Sequence, residues 1–303
     1  MSLVTTFRVG GLTCHTLEAG QQRLDGGAMF GVVPKPLWED RITPDDRNRI
    51  LLALRCLLVE HDAGPVLIDT GIGNKERKKF REIYGVENAG DSGPTQLEDA
   101  LAEAGYSAAD IKYVINTHLH FDHCGGNTFV EKRQQGQSSP SAKRDPSPQL
   151  SFPNATYVVQ EGELDFGLHP NERTGASYLA HNFQPIAEAG KWQLVRGESE
   201  ILPGIRLLPT PGHVPYHQSI LIQDGGETAC YLADLIPTTA HVPLPWIMGY
   251  DLEPMVTLQT KKDLLGRAAA DGWVLVFEHD PERAFGRVVS DQKSYAYVPL
   301  DRS

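Results

Sequence analysis

The sequence predicts one mixed α/β (α+β) domain in which two sheet-and-helix halves pack on each other. Three observations carry this expectation. Strand-like apolar runs followed by a helix recur in that order in the first and last parts of the chain. The 303 residues are 40% hydrophobic, enough to bury one large core. No segment repeats at a fixed period, so a stacked-repeat architecture is not indicated.

The elements follow in order. Residues 6–9 and 12–17 read as short strands divided by Gly10-Gly11. Residues 24–38 (LDGGAMFGVVPKPLW) are apolar yet carry three Gly and two Pro, which predicts an ordered loop covering a pocket or a partner. Residues 51–60 and 66–68 are apolar runs around the turn HDAG, as in a buried hairpin. A helix is predicted over 95–104, opened by Pro94 and the capping pair Thr95/Glu98 and stopped at Gly105. Residues 113–116 form a short strand. Residues 133–149 are polar and Pro/Ser-rich, which predicts a surface insertion without regular structure, not a domain boundary. Strands resume at 156–160, 205–208, 218–223 and 229–232. A helix within 252–271 ends near Gly272, and 274–277 is a last buried strand.

Charge and composition narrow the function. With Lys+Arg 28 against Asp+Glu 39 the formal net charge is −11, which argues against a nucleic-acid partner. The one basic cluster, Lys75, Arg77, Lys78, Lys79 and Arg81, reads as a solvated helix face. No run is long enough to span a membrane, and the N-terminus lacks a basic and an apolar region, so a cytoplasmic protein is expected. Cys14, Cys56, Cys124 and Cys230 are scattered and read as free, buried thiols.

The chemistry lies in residues 117–126, THLHFDHCGG, directly after a strand. His118, His120, Asp122 and His123 bring three imidazoles and a carboxylate within six residues. In extended chain, residues two apart point the same way, so His118 and His120 can converge on one ion. Asp122 and His123 then face a second position. Imidazole and carboxylate suit divalent Zn, Fe or Mn, and without thiolates the ion stays acidic enough to activate water. A merely polar loop would bury these groups at high cost, so metal binding is the stronger reading. His213 (in TPGH), Asp234 (in CYLAD) and His279 (in VLVFEH) each follow an apolar strand and extend the set.

HxHxDH followed by a His, an Asp and a His at these intervals resembles the metallo-β-lactamase superfamily of dinuclear hydrolases. The resemblance implies a four-layer αββα sandwich over the whole chain. It implies His118, His120 and His213 on one metal, Asp122, His123 and His279 on the other, and Asp234 bridging them. The cofactors would be two divalent ions, Zn first, with Fe, Mn or Co also accepted. Asp69, in LIDTG, would support a ligand from behind, as would His217. Within the superfamily, residues 24–38, THLHFDHCGG and ADLIPTTAHVPLPW resemble the YtnP-type group, described as probable quorum-quenching lactonases. That implies opening of N-acyl-homoserine lactones by a metal-bridging hydroxide, with Asp122 and Asp234 the catalytic carboxylates. The same stretch resembles methyl-parathion-hydrolase-like members, so phosphotriester or aryl-ester cleavage is the alternative. A non-catalytic metal-binding module is the third reading.

One departure stands out. Lactonases of this kind carry a Tyr three residues after the bridging Asp, and here that position is Pro237. Tyr216, Tyr250 or His241 are the donors left nearby. Met29, Phe30, Trp38, Trp246 and Met248 are candidates for an acyl pocket or for core. The loop at 24–38 also leaves a homodimer open. Because residues 133–149 hold almost no apolar side chains, their replacement by a short Gly/Ser linker should leave the melting temperature nearly unchanged, measured by calorimetry.

Overall fold

The computed structural model describes residues 2–131 and 147–300. Chain order runs β1 (Val4–Val9), β2 (Leu12–Asp25), β3 (Arg49–Glu60), β4 (Val66–Ile68), β5 (Tyr113–Ile115), a two-residue pair β6 (Thr128–Phe129) and β7 (Gln149–Leu150), then β8 (Thr156–Gln160) and β9 (Trp192–Val195). The second half holds β10 (Ser199–Leu202), β11 (Ile205–Pro209), β12 (Gln218–Asp224), β13 (Glu227–Tyr231), β14 (Val274–Val276), β15 (Phe285–Asp291) and β16 (Ser294–Pro299). They form two seven-stranded sheets, β1-β2-β3-β4-β5-β8-β9 and β10-β11-β12-β13-β14-β15-β16. Tight turns make the hairpin pairs antiparallel. β4, β5, β8 and β9 run parallel, as do β13 and β14, because long connections carry the chain back between them.

The two sheets bury their inner faces on each other, with Leu57, Ile68, Ile115 and Val158 meeting Ile220, Ile222 and Val276. Outside the first sheet, Leu97, Ala100 and Leu101 of the helix Gln96–Glu103 cover the second face. Outside the other, Leu264, Leu265 and Ala268 of the helix Pro254–Asp271 do the same. The result is the αββα sandwich in one domain. The first of these helices starts where expected, with Glu98 accepting from the Thr95 N–H at 2.9 Å.

Several expectations need correction. β2 runs on to Asp25, because a bulge at Gly20 (φ +124) shifts its register instead of ending it. Residues 24–38 are not a plain loop. The Asp25 carboxylate accepts from the Ala28 N–H at 2.8 Å and starts the short helix Gly26–Phe30, and Pro34 opens a second, Lys35–Trp38. Met29, Phe30 and Trp38 bury against Ile50 and Leu52 of the same chain, while Val32 and Leu37 of this segment stay exposed. Lys75 leaves the predicted basic face and turns inward, donating to the carbonyls of Gly125 and Thr128. Of the insertion expected at 133–149, residues 133–146 lie outside the described residues, and Gln149 belongs to β7. Among the described residues no helix is long and apolar enough to cross a membrane.

Arg55 lies within the apolar strand β3, and its role is tertiary. Its Nη1 donates to the carbonyls of Phe277 (2.6 Å) and Asp280 (2.9 Å), and its Nε to Glu18 at 2.6 Å. The Tyr231 hydroxyl donates to the Arg55 carbonyl at 2.6 Å. One buried side chain thus ties the first sheet to the segment that carries His279. Arg55→Met should lower stability by about 2–4 kcal/mol, read from urea unfolding, since it strands two buried carbonyls.

Candidate metal centre

All candidate ligands sit at one edge of the sandwich, on loops that leave strand ends. Beyond β5 the Asn116 N–H still pairs with the Val158 carbonyl (3.0 Å), and the Thr117 carbonyl accepts from the Gln218 N–H of the other sheet (3.1 Å). Both sheets therefore grip the chain just before His118. The helical turn Phe121–Cys124 then brings Asp122 and His123 toward His279, with the His123 ring still 4.0 Å from that of His118. Gly125 and Gly126 follow because nothing larger fits: a Cβ would lie 2.2 Å from the Ile72 carbonyl oxygen and 2.1 Å from that of Thr70.

Two buried donor groups result. His118, His120, His213 and Asp234 converge in one, and Asp122, His123 and His279 in the other, with each group's donor atoms within 4.8 Å of one another. Asp234 joins them. Its Oδ2 lies 3.0 Å from His213 Nε2 and 3.8 Å from His118 Nε2, and its Oδ1 lies 3.1 Å from His279 Nε2. That is the arrangement expected of a carboxylate between two ions.

The outer nitrogens say which lone pairs face inward. His213 Nδ1 lies 3.0 Å from Asp251 Oδ1, His279 Nδ1 lies 2.8 Å from the Ala53 carbonyl, and His123 Nδ1 lies 3.1 Å from Asp69 Oδ2 and 3.0 Å from Glu278 Oε2. Each Nδ1 must donate there, so in the neutral ring each Nε2 is a bare lone pair. His279 Nε2 and His123 Nε2 then confront each other at 3.3 Å, and His118 Nε2 is buried with no hydrogen-bond partner among the described residues. Facing lone pairs repel unless a cation lies between them. The donor set fits divalent metal ions.

Electrostatics agree. Burial resists charge on His213, His279 and His123, yet the surrounding carboxylates outweigh it. Asp234 and Asp251 push His213 up to about 10, Asp234 and Glu278 push His279 up to about 9, and Glu278, Asp234 and Asp122 hold His123 well above its usual range. His118 and His120 go the other way, pushed well below by burial and by neighbouring imidazoles. Positive charge is wanted at the carboxylate bridge, and protons hold that place when metal does not.

Asp69 accepts from the Thr117 N–H (2.8 Å) and hydroxyl (2.6 Å) besides facing His123. It does so from a left-handed backbone (φ +54), which Asp tolerates better than most residues. His217 is buried behind His118, ring centroids 5.2 Å apart, with Nδ1 held by Thr210. Cys124 is buried too, its thiol donating to the Leu119 carbonyl at 3.3 Å. Sequence reading missed four supports: Gln22, whose amide donates to Asp122 Oδ2 at 2.5 Å, and Asp251, Glu278 and Glu163. Glu278 directly precedes His279 and could have been suspected from that. The other three come from distant segments with no local signal.

A pocket of about 380 Å³ opens over the two donor groups. Met29, Met248, Leu24 and Leu252 give it an apolar wall, and Tyr84, Tyr250 and Arg173 add polar ends. Of the residues expected in the pocket, Phe30, Trp38, Tyr216, His241 and Trp246 do not line it, and Trp38 belongs to the core. Phe30 is fully buried behind the wall, stacked on His241 at 4.6 Å and edge-on to Trp246 at 5.7 Å. Both His241 nitrogens are taken, by the Thr238 hydroxyl and the Met29 carbonyl. Tyr216 packs on Gly162, half-exposed and outside the pocket. Pro237 has a different task, its carbonyl accepting from the His279 N–H at 3.0 Å.

The sequence profile described as "Metallo-beta-lactamase superfamily" matches residues 53–279. A protein named N-acyl homoserine lactonase from Bacillus sp. is 31% identical over 243 residues, 78% of this chain and 84% of that protein. The solved structure of a probable metal-dependent hydrolase from Staphylococcus aureus is similar with TM-score 0.83 at 31% identity, covering 97% of this chain and 99% of that one. The structure of AidC, a dizinc quorum-quenching lactonase with a product bound, is similar with TM-score 0.77 over 99% of each chain. At 22% identity that likeness speaks for the fold alone.

Two metal ions per chain are expected from elemental analysis after reconstitution, and Asp234→Ala should bring this below one. Metal and protons compete for the same nitrogens, so binding at pH 7 should release protons and affinity should fall as pH falls. Calorimetry in buffers of different ionisation enthalpy reads that release directly.

Proposed function

The chain belongs to the metallo-beta-lactamase superfamily, and on that premise we propose that it is a dinuclear metal-dependent hydrolase that opens lactone rings of the N-acyl-homoserine lactone type. The observation that carries this reading is the pair of donor groups joined by Asp234 at the floor of a pocket with one apolar wall. A lactone head needs activated water and a polarised carbonyl, and an acyl tail needs an apolar surface. The names of its relatives favour the same substrate class.

His118, His120 and His213 would hold one ion, Asp122, His123 and His279 the other, and Asp234 both. Zinc suits this all-nitrogen-and-oxygen set, as do Fe, Mn or Co. Bound divalent ions supply Lewis acidity, which brings a water near neutral pKa and polarises the ester oxygen. The chain's own groups do the rest. Gln22 donates to Asp122 Oδ2 and so orients the carboxylate, which would accept the proton of the attacking water and return it to the leaving alkoxide as the ring C–O bond breaks. Tyr84 and Tyr250 replace the phenol absent at position 237. Burial raises both hydroxyls, with Asp122 adding to each and Tyr250 reaching about 12, so at neutral pH both are donors toward a developing oxyanion.

A pH-indicator assay of metal-loaded protein against acyl-homoserine lactones and paraoxon should find lactone opening strongest for long chains, with weaker phosphotriester cleavage. Background lactone rates beside robust paraoxon turnover would reverse the assignment. Asp122→Asn should lower kcat about 10²–10³-fold, while Asp234→Ala removes activity more completely.

A further inference from the structure

Lys261 sits in the helix Pro254–Asp271, 1% exposed, and all its described hydrogen bonds go to backbone carbonyls. Its Nζ donates to His241 (2.7 Å), Trp246 (2.9 Å), Pro243 (3.1 Å) and Leu244 (3.5 Å). A buried amine with no carboxylate in hydrogen-bond reach among the described residues is costly, so its place here needs a reason. Four carbonyl dipoles turned toward one point repel each other. Burial draws this amine down to about 7 and Asp251 opposes the shift; in its charged form it reverses the sign at that point, as a bound cation would, and winds residues 241–246 around itself.

That loop leads straight to the substrate pocket. His241, whose carbonyl Lys261 holds, reaches with Nε2 to the Met29 carbonyl (2.8 Å) and lies flat on Phe30. Met29 lines the pocket. Met248, Gly249 and Tyr250, which follow the caged carbonyls, line it as well. The Gly249 N–H closes the circuit by donating to the Ala28 carbonyl at 2.8 Å. Segments 26–31 and 241–249 are thus joined at two points, and both joints depend on the loop that Lys261 organises.

We propose that Lys261 is a positioning residue for the apolar wall of the pocket, setting acyl-chain preference without touching substrate. The kinetic part of this rests on the lactonase reading above. The conformational part does not, and the test separates them. In Lys261→Met, hydrogen exchange followed by mass spectrometry should quicken across residues 238–252 and stay unchanged across 113–127, with metal content equal to the parent. On the lactone series, KM for the dodecanoyl substrate should rise about tenfold or more while kcat on the hexanoyl substrate stays within about threefold. Unchanged exchange over 238–252 overturns the proposal, as does an equal loss of kcat at every chain length. If the Met variant does not fold, Lys261→Ala prepared in n-propylammonium, which restores the missing ammonium, should regain protection over 238–252. No regain would overturn the proposal. A parent inactive on every lactone would sink the lactonase reading and leave the exchange result to decide this one.

Discussion

Everything at the site edge depends on holding together groups that repel. Inward nitrogens of His118, His123, His213 and His279 crowd around the Asp234 carboxylate in a buried volume, and without a cation between them they repel. No such cluster would assemble from a flexible chain, because each group would rather face water. The sandwich forces the arrangement by anchoring every donor to a strand end. The large inter-sheet core supplies the free energy that keeps the donors in place, and a cation then turns the repulsion into binding.

Orientation comes from behind the ligands. Asp69, Asp251 and the Ala53 carbonyl each take the outer N–H of one imidazole, and they arrive from three different parts of the chain. Arg55 and Pro237 fix the backbone on either side of His279. The same logic extends to the pocket, where the Met29 wall is held by His241 and the His241 carbonyl by Lys261. Ligands and wall are each held by hydrogen bonds from remote segments, so a rigid scaffold is carried into the site.

Much of this was legible in the chain. The ligand-type residues stand in dense, local patterns, and imidazoles beside carboxylates at strand ends have few bland explanations. The capping box at Thr95 and the apolar run of β3 were equally plain, because local propensity and periodicity decide them. The pocket was not. Tyr216 lies three residues from His213 and His241 seven from Asp234, but nearness in sequence puts neither in the pocket. Phe30 has the right chemistry and faces the wrong way, because the turn set by Asp25 points Met29 inward in its place.

The sequence by itself determined which residues can ligate, the two-halves architecture and the likeness to a family, since each is written in residue type and short spacing. Only the tertiary structure decided what stands behind and around those residues. Gln22, Arg55, Asp251 and Lys261 act on partners between 15 and about 220 residues away. Their side chains carry no periodic or motif signal, because their roles arise only where the two sheets bring remote segments within hydrogen-bond distance.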